Sequence, residues 1–425
     1  MTSGFRGVID LSRLRVRDYP KCFLKINPFP STAVPEEVPL ITVDRERIIR
    51  HFQDTVAHLF HDGGSTVTVL VGGYGSGKSH MLRVFKHSVN SQLLHLEESM
   101  LAVYIRSPGR NILDFFFNLI EDIGRSMLTD YSRNVIKEYL VRNWKEYKRH
   151  FYDNEILQKF EENEIEIDQL LRVSRIYDLM SEIRSEHFSN IRSSDLISAF
   201  LFLSHPDYSS IAWRWFLGEK LSREEKKSIM VDTLITDVKE AYAVLKQFIN
   251  LLHSLGIKSL VLLIDELEKI MLIPGLLRSQ YQDDLRHLID DHPKGVGFFF
   301  AIAAAQWEAL SREPTALQRR LAGNIFVLDK FDEERVKNLI RGYIGLNRTN
   351  DFSEEKAKIR FPQCPPDLCP FTEESVNVIY EKTEGIVSSV IILCRRSLDF
   401  FLDNIHRYDA ITEDLVQEVA KQEGL

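Results

Sequence analysis

Gly72-Gly73-Tyr74-Gly75-Ser76-Gly77-Lys78-Ser79 sets Gly72 and Gly77 five positions apart and follows them with a lysine and a hydroxyl. Glycines let the backbone curl so that successive N–H groups point inward, an arrangement that holds the β- and γ-phosphates of a nucleoside triphosphate. Lys78 adds a point charge there and Ser79 offers a magnesium ligand, so the segment reads as a P-loop. The alternative is a glycine-rich turn that matches the pattern by accident. A second cluster lies downstream, where the apolar run Leu260-Val261-Leu262-Leu263-Ile264 ends in Asp265-Glu266. At the carboxyl end of a buried parallel strand, Asp265 is placed to hold a magnesium shell and Glu266 to polarise an attacking water. Two adjacent acids can also open a helix, where the dipole favours them.

These residues need elements to position them. Thr66 to Val71 reads as a strand running into the glycine loop, and a helix starting near Lys78 carries Met81, Leu82 and Phe85 inward while adding its N-terminal dipole to the phosphate site. Leu101 to Ile105 reads as a second strand stopped by Ser107-Pro108-Gly109, which gives a strand-helix-strand unit and an α/β class. Asp44-Arg45-Glu46 opens a helix to about Phe60. From Asn111 to about Gly256 the apolar spacing is helical, far longer than one crossover requires, so a helical insertion is expected. Its Trp213 and Trp215 read as packing groups. A helix around Tyr281 to Ile289, a buried strand from Val296 to Ala303 and a short strand from Ile325 to Leu328 follow, and after Phe331 only helical patterns recur. The expected division is 1–60 leader and first helix, 61–110 P-loop part of the core, 111–256 insertion, 257–330 acidic part of the core, and 331–425 helical tail.

The chain has 425 residues, 54 basic and 62 acidic side chains and a formal net charge of −8. That balance excludes a generally basic, nucleic-acid-coating surface but not a local groove. The longest apolar stretch, Val296 to Ala305, is too short to span a bilayer, and no signal-peptide order is present, so a cytoplasmic protein without a membrane partner is expected. Of the four cysteines only Cys364 and Cys369 lie close together, in a proline-rich loop that lacks the further ligands of a structural zinc site and is expected to be reduced.

P-loop, Asp265-Glu266, a following core strand, Gln318-Arg319-Arg320-Leu321 and a helical tail together resemble the AAA+ ATPases of the origin-recognition or initiator-like branch. More narrowly, Tyr74 to His80, Trp215-Phe216-Leu217-Gly218-Glu219 in a long insertion, and Asp265-Glu266-Leu267-Glu268 are similar to the ATP-binding proteins of BREX-type phage-exclusion systems. The resemblance implies a three-layer αβα core with a parallel sheet, a C-terminal helical lid, ATP and Mg2+ as cofactors, and an oligomer whose neighbouring subunit completes each site. It further implies that Gly72 to His80 cradle the nucleotide, that Pro28, Phe29 and Ile41 line its adenine side, and that a trans-acting arginine precedes the last core strand, with Arg320 first and Arg319 second. A small polar sensor residue is expected after the fourth strand, and Gln306 is the nearest candidate. The lid arginine of a Gly-x-Pro-Arg turn is missing, since Gly385-Ile386-Val387-Ser388 stands there, and Arg395 or Arg396 is two turns further on.

Two functions follow from the resemblance. One is an ATPase that works as an oligomer on double-stranded DNA or on partner defence proteins, with hydrolysis slow or partner-dependent. The other is a nucleotide switch or scaffold with little hydrolysis that assembles partners through its insertion. A helicase loader or transposition helper is a more distant reading. Arg125 to Arg149 runs against the acidic average, with Arg133, Lys137, Arg142, Lys145, Lys148 and Arg149 among Tyr131, Tyr139, Trp144 and Tyr147. Such a stretch tracks a phosphate backbone or is an amphipathic helix with solvated cations. No winged-helix DNA reader is expected after the lid.

Overall fold

The computed structural model describes residues 17–31, 41–94, 99–142, 148–162, 165–172, 174–292, 294–312 and 315–424. It divides into two compact units. The larger holds the described residues of Arg47–Gly72 and Leu82–Val327, and the smaller those of Met1–Glu46, Gly73–Met81 and Leu328–Leu425.

The larger unit is built on a five-stranded sheet in the order β2-β3-β4-β1-β5, with β1 Thr66–Gly72, β2 Ser99–Ile105, β3 Ile257–Ile264, β4 Val296–Ala303 and β5 Asn324–Leu328. β2 with β3, β3 with β4 and β4 with β1 pair in parallel. Every residue of β2 and β4 is buried, the pattern expected of strands covered on both faces. Helices supply that cover: Phe52 of Glu46–Asp62 and Phe85 of Lys78–Gln92 stack at 3.9 Å, and both rings meet Phe299 of β4 edge-on.

β2 and β3 are neighbours in space although a long helical excursion separates them in sequence. The helix Ile112–Ile123 leaves β2, capped by the Asn111 side chain, and the helix Val238–Ser254 returns to β3, capped by Asp237. Phe116 and Phe248 meet edge-on at 6.1 Å and lock the outgoing helix to the returning one. Trp215 is a core residue, its ring against Phe216 and its indole N–H donating to Thr233 O at 2.9 Å.

The smaller unit is helical, with Glu333–Leu346, Glu354–Arg360, Glu373–Thr383, Val387–Asp403 and Glu413–Glu423 around one apolar core. Glu354–Arg360 is an element the apolar spacing does not announce, because Ala357 is its only buried residue. The leader joins this core through Cys22, Leu24 and Phe29. It is held there by Arg17 on Asp403, Asn27 on Asp399 and Arg395 on the Phe29 carbonyl. All four cysteines are buried free thiols, and burial pushes those of Cys22 and Cys364 up to about 12. Thiols so far from ionisation are poor nucleophiles and poor metal ligands.

Candidate functional site: a phosphate loop and an acidic strand end

In the smaller unit the loop Gly73 to Gly77 turns through two left-handed glycines, Gly75 at φ +74° and Gly77 at φ +98°. Lys78, 8% exposed, opens the helix Lys78–Gln92 and folds back so that Nζ donates to Gly73 O at 3.0 Å. Ser79 follows on the same first turn, half-buried. Ser76 is 5% exposed, and its Oγ has no partner among the described residues. An orphaned hydroxyl of this kind is costly unless something binds it.

The lid turn meets this loop directly. Ser388 N donates to Gly75 O at 3.3 Å, and a Cβ on Gly75 would lie 2.1 Å from Ser388 Oγ. Arg45 approaches from the leader side, with Nη2 donating to Ser76 O at 3.2 Å and to Asp329 O at 3.3 Å, and its Cζ lies 4.9 Å from the Phe331 ring. Burial, reinforced by the charge of Arg335, lowers the pKa of Arg45 below its ordinary value. His80 bonds Thr42 Oγ1 through Nε2 at 3.1 Å, and burial together with Arg45 pushes its pKa down to about 4.

In the larger unit Asp265 continues the β3 ladder, its N–H donating to Ile105 O at 2.9 Å, and it is 3% exposed. Its carboxylate is fixed from two sides: Oδ2 accepts from Tyr104 OH at 2.7 Å and Oδ1 from Glu266 N at 2.8 Å. Tyr104 comes from β2, the neighbouring strand, and Arg83 lies 5.3 Å over its ring. Burial and the Asp265 charge push the Tyr104 hydroxyl well above the usual phenol range, so it stays a donor. Glu266 then leaves the strand at φ 52°, ψ 41°, an uncommon left-handed conformation for a glutamate, and pairs with Lys269. Glu266 stands at the N-cap of the short helix Leu267–Leu272 but makes no side-chain cap bond, so helix capping does not account for it.

Other expected residues fall as follows. Pro28 and Phe29 are buried, and Phe29, at 1% exposure between Tyr343 and Phe371, is a core ring of the helical unit. Ile41 is half-buried beside Gly342. Gln306 sits on the first turn of Ala304–Arg312 with its Oε1 unpartnered among the described residues. Arg320 is engaged on Asp290 by two hydrogen bonds of 2.6 and 3.2 Å, whereas Arg319, one residue away on Ala316–Leu321, is exposed and has no ion pair among the described residues. Both stand-ins for the lid arginine are occupied, Arg395 by Phe29 O and Arg396 by Glu423.

Four cations of the basic stretch are similarly engaged. Arg133 faces Asp130 and Asp168, Arg142 faces Glu138, Lys148 faces Glu161 and Arg149 faces Glu182, while Tyr139 is buried with its OH on Glu186. Trp144, Lys145 and Tyr147 lie outside the described residues. No helix among the described residues is long and apolar enough to cross a membrane.

Hard oxygen donors fit Mg2+; the smaller unit offers the Ser79 hydroxyl and, separately, the larger unit the Asp265 carboxylate. Among the described residues no group of three or more His, Cys, Asp or Glu could hold a metal alone.

Residues 204–355, a little over a third of the chain, match the family model described as BREX system ATP-binding protein BrxC/D. No curated protein matches the sequence. Among solved structures, the Aeropyrum pernix ORC2 protein in its ADPNP-ADP complexes superposes with a TM-score of 0.50 at 11% identity, over 92% of this chain and 70% of that one. Its ADP form gives 0.49 at 11% identity over 94% and 73%, and the Aeropyrum pernix ORC1 protein in complex with DNA gives 0.48 at 11% over 92% and 68%. The chain has the fold of origin-recognition AAA+ ATPases and, through residues 204–355, resembles the BREX ATP-binding proteins.

Proposed function

We propose that this protein binds ATP with Mg2+ at Gly72 to His80 and hydrolyses it, acting as an oligomer in which a neighbouring copy supplies an arginine. The observation that carries the reading is the held carboxylate of Asp265 followed by a Glu266 that is turned off the strand and is not a helix cap. In this assignment Lys78 and the loop amides neutralise the β- and γ-phosphates, and Ser79 and Asp265 hold the cation. Glu266 takes the proton of the attacking water once it is released from Lys269. Mg2+, when bound, withdraws charge from the transferring phosphoryl group.

The acidic net charge and the engaged basic helix favour partner proteins over bare DNA as the object of the ATP cycle. A defence setting is supported by the BREX ATP-binding family match. Changing Glu266 to Gln is expected to abolish turnover while leaving ATP affinity intact, read by steady-state phosphate release and by fluorescent ATP titration. Undiminished turnover in that variant overturns the assignment. Tight ATP retention with negligible turnover in the wild type, unaltered by double-stranded DNA, indicates a nucleotide switch instead.

A further inference from the structure

Arg45 is a cation in an unusual position. Its guanidinium is half-buried, yet it pairs with no carboxylate among the described residues. The hydrogen bonds it makes go to two neutral carbonyls, Ser76 O and Asp329 O, and its flat face rests on Phe331. Of the two adjacent acids, Asp44 is taken by Arg335 at 3.1 Å, and Glu46 makes no ion pair with Arg45 among the described residues. Asp329 and Asp44 attract it only through space, and burial outweighs them, so a guanidinium held here without a paired carboxylate marks a place where an anion can be supplied from outside.

The place is specific. Ser76, whose carbonyl Arg45 holds, immediately precedes Gly77-Lys78, and the Ser76 hydroxyl is itself buried and unpartnered. A donor and a cation are thus both left unsatisfied at one residue of the phosphate loop. The lid offers no charge there, because Ser388 occupies the turn at Gly75 while Arg395 and Arg396 are bound elsewhere in the helical unit.

We infer that Arg45 supplies, from the leader side, the second cation for the bound polyphosphate that the lid turn lacks. It is a binding residue: its bonds to Ser76 O and Asp329 O fix the guanidinium beside the loop, and the phosphates are the anion it is missing. The inference rests on the nucleotide reading above and adds a residue to it that the P-loop pattern does not contain.

The test compares Arg45→Met, which keeps the packing against Phe331 and deletes the charge, with Arg45→Lys, which keeps the charge, using the full chain throughout. Fluorescently labelled ATP and ADP are titrated in Mg2+ buffer, and thermal unfolding of the nucleotide-free protein is followed in parallel. The expected result is roughly a tenfold or greater loss of ATP affinity in Arg45→Met, a smaller loss for ADP, and recovery to within about threefold in Arg45→Lys. Nucleotide-free Arg45→Met should melt no lower than wild type, because an uncompensated charge has been removed. Wild-type ATP affinity in Arg45→Met overturns the inference alone. So does a lowered melting temperature with equal losses in both variants, since that is the mark of a structural arginine. A wild-type protein that binds no ATP, or binds it equally well as Lys78→Ala, overturns the nucleotide reading and this inference with it.

Discussion

Asp265 owes its orientation to Tyr104, a residue 161 positions earlier whose hydroxyl is 2.7 Å from Oδ2. Removing that hydroxyl leaves one carboxylate oxygen without its donor at a buried site, a loss of about 1.5 kcal/mol for a hydrogen bond to a charged acceptor. Tyr104→Phe is therefore expected to raise the Mg2+ concentration needed for half-maximal turnover by roughly tenfold, with little change at saturating Mg2+. A magnesium titration of phosphate release checks this, and an unchanged requirement would show that Glu266 N alone orients the carboxylate. In the proposed oligomer the trans-acting role would fall to Arg319, which has no ion pair among the described residues. Arg319→Ala should lower turnover by about a thousandfold without loss of ATP affinity, whereas Arg320→Ala should only release Asp290. Mixing inactive Arg319→Ala with inactive Glu266→Gln should restore part of the activity, since one interface of a mixed oligomer keeps both groups. No recovery on mixing, in a sample shown to be mixed, would argue against a shared site.

At the scale of elements, the first turn of Lys78–Gln92 carries a titration. His80 is held neutral by burial, with its pKa pushed down to about 4 from an ordinary 6.5. The unfolded chain thus binds a proton between these values that the folded chain does not. His80 contributes stability above pH 6.5 and loses it as the pH falls towards about 4, at a slope no steeper than about 1.4 kcal/mol per pH unit. Denaturant unfolding at pH 7 and pH 5 should show a smaller acid loss in His80→Gln than in wild type, and equal losses would place the sensitivity in other histidines. The first turn of this helix was legible in sequence because glycine, lysine and serine at fixed spacing permit few other structures. β4 and the Leu260-to-Ile264 part of β3 were legible because a fully buried parallel strand is continuously apolar, and β1 because Val67 to Val71 runs straight into the glycine loop. Pairings across the chain were not: the Tyr104 bond to Asp265, the Arg45 bonds to Ser76 and Asp329, and the engagement of Arg320 by Asp290 each require knowing which elements become neighbours. For the same reason Asn27-Pro28-Phe29 resembles an adenine-side leader in sequence, while packing makes Phe29 a core ring.

Across the whole molecule, the smaller unit is assembled from three stretches that lie far apart in the chain, with Gly73–Met81 grouped with the leader and the C-terminal helices. Cys22, Leu24 and Phe29 bury themselves against residues beyond Phe331, so a chain cut after Val327 would expose them, strip the phosphate loop of Ser388 and strip Arg45 of Asp329 and Phe331. Truncation at that point is expected to give a protein that aggregates and binds ATP at least about tenfold more weakly, measured by sedimentation and by nucleotide titration. A truncated chain that stays monodisperse with full affinity would show that the loop needs nothing from the lid. The bond from Ser388 N to Gly75 O also provides a built-in reporter. Its amide deuterium uptake reads the free energy of breaking that contact, so one peptide in a mass spectrum would weigh how firmly the turn at Ser388 grips the loop, with and without added ATP.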